Sequence, residues 1–192
     1  MPDPNPAALE FLLSRRSRPA KTLTGPAPDR ATLEVILTAA ARTPDHGKLE
    51  PWRFIVLERA ALQRLAGLAG DMSAAAGREP EEVEKDRALF AQGHLAVVVV
   101  ASPQPSVKIP DIEQVYSAGA VCLSLLNAAL AAGWGANWLS GWASHHPAFC
   151  SEGLGLTDSE KVAGLIFLGT ETAAPPERPR PDLDRITRWV SS

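Results

Sequence analysis

The chain has 192 residues, 45% of them hydrophobic, and a net charge of −3, which is enough apolar material for one core and favours a single domain over residues 1–192. The slightly acidic balance and the lack of a long basic tract argue against nucleic acid as the main partner. Cys122 and Cys150 stand far apart in no C-x-x-C pattern, so neither a disulfide framework nor a zinc or other metal site is indicated.

Met1-Pro2-Asp3-Pro4-Asn5-Pro6 has neither the basic leader nor the apolar stretch of a secretory signal, and the cytoplasm is the expected compartment. Asn5 before Pro6 marks a helix start, because the asparagine side chain can accept a backbone amide while proline fills the first helical position. That helix is expected to run to about Ser14. Asp29 opens a second helix, with Leu33, Ile36, Leu37 and Ala40 at i, i+3, i+4 and i+7, stopped by Pro44. Residues 52–57 read as a strand, 62–68 as a helix and 77–80 as a break. A solvated helix over 81–92 follows, whose Glu81, Glu82, Glu84, Lys85, Asp86 and Arg87 offer salt-bridge partners but no visible chemistry.

Val97-Val98-Val99-Val100, within 95–101, is the β-branched run of a strand covered on both faces at the centre of a sheet. The longest helix is expected over 111–133. Its middle is apolar around nearly the whole circumference, so it needs enclosure by sheet, helices or a second subunit. The weakly polar run 118–134 is interrupted by Ser124 and Asn127 and falls short of the roughly 20 strongly apolar residues of a membrane span. Gly133, Gly135 and Gly141 then punctuate a segment with Trp134, Asn137, Trp138 and Trp142, and 161–169 is another strand. The four prolines in 175–181 make an extended connector to a short terminal element over 183–190 that could reach a neighbour. The order helix, helix, strand, helix, helix, strand, long helix, strand, helix, strand lacks regular βαβ alternation, and GxGxxG and GxxxxGK[ST] are both absent. An α+β sandwich is expected rather than a Rossmann domain.

Two stretches hold the candidate chemistry: Arg15-Arg16-Ser17, and Arg42-Thr43-Pro44-Asp45-His46 followed by Pro51-Trp52-Arg53-Phe54. They set cationic and protonatable groups and an aromatic ring beside loops stiffened by proline, a composition suited to a phosphorylated, flat, redox-active ligand such as a flavin. Flavin mononucleotide needs cations or backbone donors at its phosphate, and a donor at the N1 and O2 edge, which gains negative charge on reduction. Arginine answers either demand. Each residue alone also has a bland reading: a solvated helix end for the arginines, a surface position for His46, core for Trp52, and a snorkelling edge residue for Arg53.

Taken in order, Arg15-Arg16-Ser17, Arg42-x-Pro-x-His46, Pro51-Trp52-Arg53-Phe54, Ser117-Ala118-Gly119-Ala120, the run from Gly133 to Gly141 and the run from Lys161 to Thr170 resemble the nitroreductase family of FMN flavoproteins. The resemblance covers nearly the whole chain, from Ala8 to Trp189, and is closest to a small bacterial subgroup with an Arg-Arg-Ser opening and a Pro-Asp-His loop. It implies an α+β homodimer with a small mixed, mainly antiparallel sheet flanked by helices, and a C-terminal arm over 171–192 exchanged between protomers. Two FMN sites would lie at the subunit interface. The residues matching Arg15, Arg16 and Ser17 would hold the phosphate, ribityl chain or ring edge from one subunit. Arg42 and His46 would approach the same flavin from the other. Trp138, Leu139 and Ser140 would line the ring and its side chain, and Arg178 and Arg180 would close on the phosphate. An obligate interface of this kind typically buries upwards of ~2,000 Å².

This chain departs from the family pattern at two points. Pro19 stands where many relatives have a basic residue, which leaves Arg18 or Lys21 as candidates for the flavin N1 and O2 edge. Glu50 stands where many have glutamine and is expected to face solvent, since an inward carboxylate would disfavour an anionic reduced flavin. The implied activity is oxidation of NADH or NADPH through FMN, with a nitro-aromatic, a quinone or another flat small molecule as acceptor. The ring carries the chemistry, so no side chain is assigned as nucleophile or obligatory general acid. The alternatives are an FMN-binding or storage protein with little turnover, and a cofactor-free interaction protein whose tryptophans are all core.

Overall fold

The computed structural model describes residues 3–191. Helix α1 spans Pro6–Ser14, and Asn5 Oδ1 accepts the Ala8 amide at 3.1 Å as its sequence position suggests. A two-residue strand β1, Leu23–Thr24, precedes helix α2, Arg30–Ala40, which Asp29 caps through the Thr32 amide at 2.8 Å. Strand β2, Trp52–Glu58, leads into helices α3, Arg59–Ala75, and α4, Pro80–Ala91. The rest of the fold consists of β3, Leu95–Ala101; α5, Asp111–Ala131; β4, Gly135–Leu139; β5, Lys161–Glu171; and a short α6, Leu183–Ile186.

β5 is the hub of a five-stranded sheet in the order β1-β5-β3-β2, with β4 also paired to β5. Every ladder among the described residues is antiparallel, so the sheet within this chain is not the mixed one expected. The connections give the reason. The paired helices α3 and α4 return the chain to the end it left, so β3 runs against β2. The single helix α5 then carries the chain over to β4, which like β3 runs antiparallel to β5.

The pleat divides the core in two. Leu95, Val97 and Val99 join Ile166 and Leu168 beneath α2 and α5, while Ala96, Val98 and Val100 join Leu165 and Phe167 beneath α3 and the π-helical turn Phe149–Gly153. The valine run is therefore buried on both faces and lies between β2 and β5, as its composition requires. Between the pairs Val99↔Gly164 and Val100↔Val162, Ala163 is an extra residue, forming a bulge in β5.

Three expectations need amendment. Asp86 in the charged α4 is buried rather than solvated, and it accepts from Ser73 Oγ at 2.6 Å and Arg78 Nε at 3.0 Å. α5 buries one face, including Val121, Cys122, Leu125 and Ala129, against the sheet and α2, whereas Ile112, Val115, Tyr116 and Leu123 stay exposed on this chain. The terminal element is a single turn, because after Ile186 the backbone is extended at Thr187.

Candidate anion-binding site

Arg15 and Arg16 leave the last turn of α1 just where the backbone becomes extended, and the proline-led arm beyond β5 comes back past them. Arg16 Nε donates to the Pro176 carbonyl at 3.4 Å, tying the two segments together. Between them opens a cavity of about 380 Å³ lined by Arg15, Arg16, Ser17, Arg178, Arg180 and Arg185, with Pro179 and Pro181 completing the wall. Residues from the two ends of the sequence thus meet at one place.

The charge at this place is unbalanced. Five guanidiniums line the cavity, and Glu177, whose Oε1 pairs with Arg180 Nη2 at 2.7 Å, is the one carboxylate bridged to any of them among the described residues. Burial first, then the nearby Arg180 and Arg16 guanidiniums, lower the Arg15 pKa. Arg15 Nη2 donates to Ser17 Oγ at 2.9 Å, while its buried Nε–H has no partner. An anion with several acceptor oxygens would answer both the like-charge repulsion and the orphaned donor, and a phosphate monoester is such an anion.

A separate structure holds the loop from Arg42 to Trp52. Thr43 Oγ1 donates to Ser124 Oγ at 2.8 Å, Ser117 Oγ donates to the Pro44 carbonyl at 2.9 Å and receives the Trp52 indole N–H at 3.1 Å, and His46 Nδ1 lies 2.7 Å from Glu113 Oε2. Gly47 sits at φ +77°, a backbone conformation that favours glycine, and a Cβ there would displace the terminal methyl of Ile109. Arg42, His46 and Glu50 are exposed on this loop; for Glu50 this is the orientation expected.

The structure therefore brings together Arg15, Arg16, Ser17, Arg178 and Arg180, and leaves Arg42, His46, Trp138, Leu139 and Ser140 outside that cavity. Trp138 lies over Gly164 beside Cys122, and the following Leu139 packs on the core, so β4 ends with Ser140 exposed. Arg18 does not stand free for a ligand: its Nε bridges Glu171 Oε2 at 3.2 Å. Arg185 was missed, although the basic residues Arg178, Arg180 and Arg185 recur along the arm. Glu113 and Ser124 were missed too, and Ser117 was named only within the motif Ser117-Ala118-Gly119-Ala120 with no role, although their spacing of four and seven places all three on one stripe of a helix.

The sequence pattern of the Nitroreductase family matches residues 12–170. A protein of Escherichia coli K12, provisionally named an NAD(P)H nitroreductase, is 36% identical over 163 residues, covering 85% of this chain and 87% of that protein. A Haemophilus influenzae protein of the same provisional name is 37% identical over 164 residues, covering 85% and 88%. Among solved structures, a nitroreductase-like family protein from Bacillus cereus superposes with a TM-score of 0.78 over the whole of both chains at 24% identity. Nitroreductase A from Vibrio parahaemolyticus gives a TM-score of 0.74 at 19% identity, covering 97% of this chain and 76% of that one. With the family pattern spanning most of its length and two relatives above one-third identity, the chain belongs to the nitroreductase family of oxidoreductases.

Proposed function

We propose that this oxidoreductase is a homodimeric FMN enzyme that oxidises NADH or NADPH and reduces nitro-aromatics, quinones or similar flat acceptors, in the cytoplasm. The observation that carries the reading is the cavity where Arg15, Arg16, Arg178 and Arg180 converge with a surplus of positive charge and one unpartnered guanidinium N–H. These four arginines would hold the FMN phosphate, and Ser17 would keep the Arg15 guanidinium turned toward it. When bound, FMN would supply the redox chemistry, hydride uptake from the nicotinamide and electron delivery to the acceptor. The protein's own work is to bind, orient and exclude water. Trp138, Leu139 and Ser140 would line the ring, and Arg42 and His46 would reach it from the neighbouring protomer.

Exposed apolar surface supports the dimer. α1 buries none of its residues, and its Leu13 is 75% exposed; Tyr116 of α5 is exposed, as are Leu183, Ile186 and Trp189 of the arm, the last by 90%. Surface of this kind is characteristic of a protein contact. An absorption spectrum of the purified protein, followed by anaerobic titration with NADH and NADPH, tests the proposal. A flavin band bleached by either nucleotide supports it, and a colourless protein that takes up no FMN overturns it. FMN retained with negligible nucleotide oxidation would favour storage.

A further inference from the structure

The loop between α2 and β2 owes its shape to α5 more than to its own backbone. Lys48 and Glu50 adopt φ of 54° and 47°, in the left-handed region that favours glycine, alongside Gly47. Such a segment keeps its conformation only where its surroundings over-determine it. Ser124 and Ser117 grip Thr43, Pro44 and Trp52, and one turn further toward the N-terminus of α5, Glu113 meets His46. Of the loop's own two carboxylates, Asp45 is engaged with backbone, its Oδ1 accepting the Leu49 amide at 2.6 Å and the Glu50 amide at 3.4 Å, and Glu50 is exposed with no hydrogen bond or ion pair to His46 among the described residues.

We propose that Glu113 is a positioning residue for His46: its carboxylate accepts the Nδ1–H, fixes the Nδ1-protonated tautomer, and leaves Nε2 as the ring nitrogen offered to the bound ligand. This rests on the reading of His46 as a contact to the flavin site. The Nδ1–Oε2 separation of 2.7 Å is that of a charge-assisted hydrogen bond. A carboxylate accepts only, so in the neutral ring the shared proton belongs to Nδ1. A neutral imidazole free in water prefers its proton on Nε2, so the pairing reverses the default. Among the described residues the one side-chain hydrogen bond of His46 is through Nδ1, and Nε2 has no partner. In the neutral ring it is an acceptor for a ligand N–H or O–H, and after proton uptake it becomes a donor at the same point in space.

Both side chains are well exposed in the single chain, at 63% and 44%. A pair so placed adds little to stability, and its value is orientation. Variants at Glu113 should therefore fold and melt like the parent.

A double-mutant cycle on the full chain tests the assignment, reading FMN affinity, the separate kcat and KM for NAD(P)H, and the ¹⁵N imidazole resonances of His46. His46→Ala is expected to weaken FMN by about 10-fold and Glu113→Ala by roughly 3- to 10-fold, with the double variant no worse than His46→Ala alone. Glu113→Asp should recover part of the loss. The ¹⁵N spectrum should report a protonated Nδ1 in the parent and a protonated Nε2 in Glu113→Ala. A silent Glu113→Ala, penalties that multiply, or a protonated Nε2 in the parent would each overturn the role of Glu113 while leaving FMN binding intact. An unaltered His46→Ala would instead remove the reading of His46 and the inference with it.

Discussion

Glu160 grips Arg53 with both carboxylate oxygens, Oε1 at 2.6 Å from Nε and Oε2 at 2.9 Å from Nη2, and so fastens β2 to the turn that enters β5. The Glu160 side chain is only 8% exposed, and its Oε2 also accepts the Thr157 amide at 3.1 Å. The hydrogen bonds from Arg53 are the largest cause holding the Glu160 pKa down to about 2, against an ordinary 4.5. A carboxylate depressed in the folded state contributes stability that is complete above its unfolded pKa and disappears as the pH falls through the folded one. Glu160→Gln should therefore melt below the parent at pH 7, by about 1–3 kcal/mol, toward the lower end because Arg53 is partly solvated. The gap should close between about pH 4.5 and pH 2. Thermal melts across that range check it, and a constant gap would be the wrong result.

Ser117 is the pivot of the loop that carries Arg42 and His46. Ser117→Ala strands the Trp52 indole N–H and the Pro44 carbonyl together. A loss of about 1–3 kcal/mol in urea unfolding is expected, accompanied by weaker FMN binding because the loop is no longer pinned to α5.

Gly164 gives Trp138 its seat. A Cβ at this position would strike the Trp138 indole and press on Cys122 Sγ, so Gly164→Ala must push the ring away from the sheet. Overpacking of this kind costs about 1–3 kcal/mol. A shift in tryptophan fluorescence and a weaker flavin complex are expected, whereas unchanged emission would mean that the indole does not depend on this gap.

Cys122 lies fully buried between α5 and the sheet, and burial pushes its thiol pKa up to about 12. The native protein at pH 8 should leave this thiol untouched by iodoacetamide, and denaturant should release it. Mass spectrometry of the alkylated protein reads both states.

The elements with a strong local signature were legible in the sequence. Asn5-Pro6 and Asp29 start their helices as the cap chemistry requires, and the valine run could only be a strand buried on both faces. What depended on distant partners was not. β1 is two residues long and exists through its pairing with Thr170 and Glu171. Asp86 reads as one more charge on a solvated helix until Ser73 and Arg78 enclose it. The arginine cavity was half visible, because Arg15 and Arg16 stand in a motif and Arg178 and Arg180 are the late basic pair that the family resemblance implies, but the addition of Arg185 follows from the path of the arm. The grip of α5 on the 43–52 loop is carried by Glu113, Ser117 and Ser124, which in one dimension are ordinary polar residues of an apolar helix.

If the guanidiniums of Arg15, Arg16, Arg178 and Arg180 grip the phosphate of FMN, as proposed, then riboflavin, the same ligand without that phosphate, forfeits their contribution. Calorimetric titration of both into the flavin-free protein, at low and high salt, and into Arg16→Ala and Arg180→Ala, isolates the phosphate contact. FMN is expected to bind at least ~100-fold more tightly than riboflavin, with the advantage reduced by salt and by either substitution. Equal affinity for the two flavins, or an FMN advantage indifferent to both arginines, would contradict it.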